Sequence, residues 1–172
     1  MRFLKLSVAA TAMLAGFAAL SAGAVASATS VGNCTPSQIS VSLGHSNGAA
    51  GTIYYPIVFT NTGATCVIWG LPHIQPVAGS PRVALGPAAH SESMGEMPAR
   101  HTISKGQSVS VDFGVTESGN FTASTCVAKN ATGVRVFIPG FVTAHYLTLK
   151  ISVCTKRSST STRLLTPGST GI

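Results

Sequence analysis

From Ile39 to Val153 the apolar residues recur at every second position or in short β-branched runs, and nowhere with the spacing of an amphipathic helix. Ile39-Ser40-Val41-Ser42-Leu43 alternates cleanly and predicts a half-buried first strand. Thr52 to Thr60 places Ile53, Tyr55, Ile57 and Phe59 on one side and Tyr54, Pro56 and Val58 on the other. Pro56 predicts that this strand lies at an edge or a bulge. Further strands are predicted at Cys66–Trp69, Ile74–Val77, Ser108–Phe113, Val134–Ile138 and Tyr146–Val153, with Arg163–Thr166 as a final edge strand. Seven or eight strands separated by regular turns predict an all-β fold, a two-sheet antiparallel β-sandwich.

Two stretches break the pattern. Gly79–Ala99 holds Pro81, Pro87 and Pro98 among its glycines and reads as a long irregular loop, an exposed excursion of the kind that carries function. Ser158–Thr162 is wholly polar and reads as a solvated turn or linker within a polar C-terminal segment, 155–172.

The N-terminus has a different character. Arg2 and Lys5 precede an apolar run from Val8 to Leu20, and Ala26-Ser27-Ala28 follows as a small-residue cleavage site, so residues 1–28 read as a secretory signal peptide. The run is shorter than the roughly 20 residues a membrane-crossing helix needs, and no membrane span is expected. Lipidation at Cys34 is disfavoured, because Asn33 precedes it and a Ser/Thr/Gly/Ala-rich stretch separates it from the apolar core. Cleavage after residue 28 of the 172 leaves 144, enough for a single domain over 29–172. The expected location is secreted or extracellular.

Export matters for the cysteines. Cys34, Cys66, Cys126 and Cys154 are even in number, outside a reducing compartment, and lack the CxxC spacing of redox or zinc sites, so two structural disulfides are expected. Of the three possible connectivities we favour Cys34–Cys66 with Cys126–Cys154, since each then closes a moderate loop within one half of the chain. Each closure is worth about 3–4 kcal/mol by chain entropy.

The formal charge of +7 falls to +5 when Arg2 and Lys5 leave with the signal peptide. The remaining basic residues are scattered without interleaved aromatics, a poor match to a phosphate-tracking surface, and nucleic acid is not an expected partner. Weak attraction to anionic envelope polymers is the simpler consequence.

Catalytic chemistry finds little support. The acids Glu92, Glu96, Asp112 and Glu117 offer no preorganised acid/base pair, since Glu92 and Glu96 share the irregular loop. No Gly-x-Ser-x-Gly elbow supports a serine triad, and Asp112, between Val111 and Phe113, is expected to face solvent or take a backbone bond. The most suggestive constellation is His90-x3-Met94-x2-Met97-x3-His101, two thioethers flanked by two imidazoles, which suit copper. Against it, methionine also fills cores and His101 can simply open the next strand. His45, His73 and His145 read as surface or loop residues, and Trp69 as packed between the sheets near a disulfide.

The order of features carries a resemblance. An N-terminal cysteine, Ala49-Ala50-Gly51, Phe59-Thr60-Asn61-Thr62-Gly63, Cys66, Gly70-Leu71-Pro72 and Lys105-Gly106-Gln107-Ser108 are followed by Val134–Gly140 and by the Cys126 and Cys154 positions. In this order the chain resembles the secreted actinobacterial domain of unknown function 4232 family. The resemblance implies an exported β-sandwich, found alone or on a lipid anchor, with no assigned reaction or catalytic residues. His73 stands where the family tends to have a small residue, and Gly79–Ala99 looks particular to this chain. The marker residues also read physically: Asn61 and Gly63 suit a turn with positive φ or an Asx-type bond, and Gly70 and Pro72 a fixed bend at a strand exit.

Taken together, the residues predict an exported, monomeric, non-catalytic β-sandwich without a cofactor, binding a protein, glycan or envelope partner through Gly79–Ala99. Copper binding by the His/Met loop is the alternative.

Overall fold

The computed structural model describes residues 30–93 and 95–171, so the expected signal peptide and Met94 lie outside them. The fold is all-β, with two principal sheets enclosing one core. The larger sheet runs β1 (Ile39–Leu43), β3 (Thr52–Asn61), β9 (Ser108–Thr116), β12 (Thr160–Thr162), β7 (His90–Ser91), with β2 (Asn47–Ala49) on β3 and β13 (Thr166–Pro167) on β9. The smaller runs β11 (His145–Cys154), β10 (Ala128–Phe137), β5 (His73–Ala78), β6 (Val83–Ala84). A third, two-stranded sheet pairs β4 (Cys66–Trp69) with β8 (Arg100–Ile103).

Alternation builds the core as expected. Ile57, Phe59, Val109, Val111 and Phe113 from the larger sheet join Ile74, Val134, Val136 and Ile151 from the smaller in one buried cluster, which Ile68 and Ile103 of the third sheet extend. The disulfides are Cys34–Cys66 and Cys126–Cys154, each cysteine buried, and they staple the two halves of the chain separately.

Several expectations need correction. There are thirteen strands among the described residues, not seven or eight, because β2, β6, β7, β12 and β13 are only two or three residues long and leave no periodic trace. The sheets are not wholly antiparallel, since β7 runs parallel to β12. Pro56 is not on an edge strand: β3 lies between β1 and β9. Pairing with β1 ends where Leu43 faces Ile57, and pairing with β2 resumes where Asn47 faces Tyr54, so Pro56 falls at the break between them. A missing N–H costs nothing where no partner strand waits for it.

The C-terminal segment differs most. Ser159, Thr160, Ser161 and Thr162 are all buried, and the expected solvated turn is instead strand β12, held between β9 and β7. The expected strand at Arg163–Thr166 is a break in the ladder: β12 ends opposite Phe113, β13 begins opposite Ser110, and Leu165 turns into the core between them.

Gly79–Ala99 is also more ordered than expected. It supplies the edge strand of the smaller sheet through β6 and of the larger through β7, and so crosses the open side of the sandwich. Leu85 N–H donates to Pro76, Ala89 N–H to Ile74 and Glu92 N–H to Thr162. The Arg82 guanidinium lies 3.6 Å above the Tyr146 ring.

Candidate functional site

In β9, Val109, Val111, Phe113 and Val115 point into the core, so Ser110, Asp112 and Gly114 fall on the outer face. The register sets Pro56 opposite Asp112, and both Tyr54 and Ser161 opposite Gly114. Gly114 has no side chain, and a Cβ there would collide with Ser161 Oγ. The neighbouring strands therefore close over β9 at this point.

After β13 the chain turns back across this face. Gly171 N–H donates to Ser110 Oγ at 2.9 Å, and a Cβ on Gly171 would collide with Asp112 Oδ1. Gly171 also has φ +84°, so the approach suits glycine twice over. Asp112 is thereby covered to 3% exposure, with Oδ1 lacking a hydrogen-bond partner. The expectation that Asp112 faces solvent is corrected: alternation turns it outward as read, but a segment about sixty residues later covers it.

Beside Asp112, Arg163 Nε donates to Glu92 Oε2 at 3.1 Å, and the Arg163 guanidinium lies 5.7 Å from the Tyr54 ring centroid. A cleft of about 350 Å³ opens between Glu92, Glu96, Arg163, Thr166 and Gly171. Burial pushes the Glu92 carboxyl up, but hydrogen bonds from Ser161 and Arg163, with the charges of Arg163 and His90, outweigh it and hold Glu92 below its ordinary value. For Asp112 burial dominates and raises the carboxyl, with Arg163 opposing and Glu92 adding to the rise. Glu92 and Glu96 thus line one cleft with Arg163, and Asp112 lies outside that lining but within electrostatic reach of Arg163 and Glu92. Tyr54, Ser161, Arg163 and Gly171 escaped sequence reasoning, because they meet only through strand register and the returning tail. The lone acid in an otherwise uncharged strand was the one local sign.

Two other clefts have different chemistry. One of about 390 Å³ opens between the sheets over Ile53, Tyr55, Val115 and Ile151, with Glu117 and Lys150 at its rim. Another of about 510 Å³ lies between β8 and β13 and is lined by Arg100, His101 and Gln107 among others.

The proposed copper donors are placed as follows. His90 is exposed in β7, its Nδ1 3.5 Å from Ser158 Oγ, and Met97 is 88% exposed. His101 does open a strand, β8; it pairs with Ile68 and donates from Nε2 to the Leu165 carbonyl at 2.9 Å. The histidines thus belong to different sheets, and Met94 lies outside the described residues. No group of three or more His, Cys, Asp or Glu able to hold a metal occurs among the described residues.

Of the other singled-out residues, Trp69 does not sit between the sheets: it is half-buried, with Arg100 4.2 Å above its ring. Those two residues face each other across β4 and β8, on the side opposite Ile68. His45 and His73 are exposed as expected, but His145 is half-buried in β11 with Nε2 unpartnered, and burial lowers its pKa. Cys34, considered for a lipid, is bonded to Cys66. No helix among the described residues is long and apolar enough to cross a membrane.

The residues that carried the resemblance assemble elsewhere. Asn61 is fully buried, donating to Ala64 and Ile103 carbonyls and accepting from Gly63 N–H at 2.8 Å, so the Asx-type turn is the one formed. Its backbone pairs with Gln107 and Gly106, tying the exit of β3 to the turn before β9. A family model described as a domain of unknown function, DUF4232, matches residues 34–168. The chain belongs to this family. No curated protein and no solved structure matches it. The matched residues of DUF4232 take in both disulfides, Asn61 and Asp112.

Proposed function

We propose that this DUF4232 chain is a non-catalytic binding domain that works outside the cytosol and meets its partner through Gly79–Ala99. The observation that carries the reading is the construction of that segment. It is hydrogen-bonded to both sheets, yet leaves Val83 62% and Met97 88% exposed. Anchored backbone with exposed apolar tips is how a rigid sandwich presents a contact surface. Two disulfides are compatible with an oxidising location.

Co-sedimentation of the purified domain with cell-envelope fragments tests this, in high salt so that general attraction to the basic protein is screened. Retention of the parent and its loss in Val83→Glu/Met97→Glu is the expected result. Equal retention of both, or none of either, overturns it.

Copper binding is a second reading, favoured by one observation: His90 and Met97 are both exposed on the same segment. Anaerobic Cu(I) titration against a competing chelator should then show one-to-one binding that Met94→Leu/Met97→Leu abolishes. Absence of binding removes it.

A further inference from the structure

We infer that the free edge of β8 takes up an acidic peptide segment as an added strand. This edge is separate from the Gly79–Ala99 surface, and neither reading rests on the other.

The pairing of β4 fixes which way β8 points its backbone. Val67 N–H donates to the Gly32 carbonyl and the Val67 carbonyl accepts from Cys34 N–H, both at 2.9 Å, so Val67 turns its backbone groups away from β8. Thr102 stands opposite Val67, and the two form a non-hydrogen-bonded pair of the antiparallel ladder. The N–H and C=O of Thr102 therefore point away from β4, as do those of Arg100 two residues before. Among the described residues no strand pairs with β8 on that side, and nothing bonds these four groups. Ser104, next in the same alternation, confirms the direction, because its N–H donates to Gln107 Oε1 at 2.8 Å.

Beyond the edge lies open space. The cleft of about 510 Å³ separates Arg100 and Thr102, both exposed, from Gln107, Pro167 and Gly168. Its far wall cannot complete the ladder, because Pro167 has no N–H and Gly168 N–H is spent on the Ser108 carbonyl. An open edge with alternating donors and acceptors is a template for one kind of ligand, an extended backbone.

Charge selects among extended chains. Arg100 and Lys105 stand at the two ends of the edge, and none of the chain's acids lines the cleft. A second copy is disfavoured, since antiparallel self-pairing about Thr102 would bring Arg100 of each copy beside Lys105 of the other. A peptide with acidic residues at both ends meets those cations instead.

The test is a titration of the oxidised domain with the acetylated, amidated peptide Glu-Val-Thr-Val-Glu. Amide NMR reads it, together with the fluorescence of Trp69, the single tryptophan, which faces Arg100 across β4 and β8. One control is Lys-Val-Thr-Val-Lys; the others are two versions of the acidic peptide with alternate backbone nitrogens methylated, each blocking one edge of the added strand. Saturable shifts at Thr102, Gln107 and Gly168 are expected with the acidic peptide, at least five-fold weaker with the lysine peptide and with one methylated version only. Thr102→Pro removes the edge N–H where a strand tolerates proline, and should weaken binding at least five-fold in protein that melts like the parent. If that variant does not fold, the methylated pair decides alone. No saturable shift, equal affinity for the lysine peptide, or the same response to both methylated versions overturns the inference. So does self-association of the parent in sedimentation that Thr102→Pro abolishes, which assigns the edge to a second copy.

Discussion

Asn61 and Asp112 are both buried polar residues, on adjacent strands of one sheet, and the chain treats them in opposite ways. Asn61 uses its amide nitrogen and its oxygen in the turn it organises and donates across to the Ile103 carbonyl of β8. Asp112 leaves Oδ1 without a partner beneath Gly171. A satisfied buried amide fixes a unique fold, whereas an unsatisfied carboxyl works against it. The first is therefore a structural element, and the second is kept at the expense of stability. Substitution should separate them by the sign of the effect.

The largest effect is expected at Asn61. Asn61→Ala removes three hydrogen bonds and strands the buried Ile103 carbonyl, so stability should fall by about 3 kcal/mol. Urea denaturation of the oxidised protein reads this as a lower midpoint at unchanged slope. A loss below about 1 kcal/mol would mean that the junction of β3 with β8 and β9 holds without its amide.

Asp112→Asn should move the other way. Because the folded-state pKa of Asp112 is raised, the acid is most favourable to the fold when protonated. Its contribution is intact below the ordinary value of 3.8 and is lost as pH rises through the folded value. The variant should therefore melt above the parent at pH 7, by about 1 kcal/mol since the new amide also lacks partners, and the gap should close as pH falls below that value. A variant less stable than the parent at pH 7 would place Asp112 with Asn61 as a structural residue. Greater stability at pH 7 would show that the acid is kept at the expense of the fold.

How much of this was legible in the sequence follows from where each signal resides. The long strands announced themselves because alternation is local: Ile39–Leu43, Ser108–Phe113 and Tyr146–Val153 lie where the pattern set them. The Asx turn at Asn61 and the disulfide pairing were equally legible, one from residue chemistry and the other from loop length. Strand β12 was not, because Ser159–Thr162 carries no apolar residue. Its burial comes from backbone pairing to strands on both sides, and Thr160 and Thr162 leave their hydroxyls unpartnered there. The candidate site was least legible of all. Glu92 and Glu96 stood out as a pair without a scaffold, and Asp112 as an acid turned to solvent. Only the parallel pairing of β7 with β12 and the return of Gly171 over β9 bring them together, and both depend on residues sixty or more positions apart.

The smallest effect is expected at Glu92, and its value lies in its sign. Glu92 shares Arg163 with Asp112, yet its folded-state pKa is lowered. Its contribution is present above the ordinary value of 4.5 and disappears as pH falls through the folded value, the reverse of Asp112. Side-chain exposures of 46% for Arg163 and 31% for Glu92 leave the pair well screened, so Glu92→Gln should cost only about 0.5 kcal/mol at pH 7 in low salt, and less in 1 M salt. Thermal melts of the two single variants between pH 3 and 7 should therefore diverge as pH rises, Asp112→Asn above the parent and Glu92→Gln slightly below it. Parallel curves would mean that the two carboxyls titrate as one unit through their coupling to Arg163. Divergence would show two acids within reach of one arginine whose ionisation acts on the fold with opposite sign, stabilising at Glu92 and destabilising at Asp112.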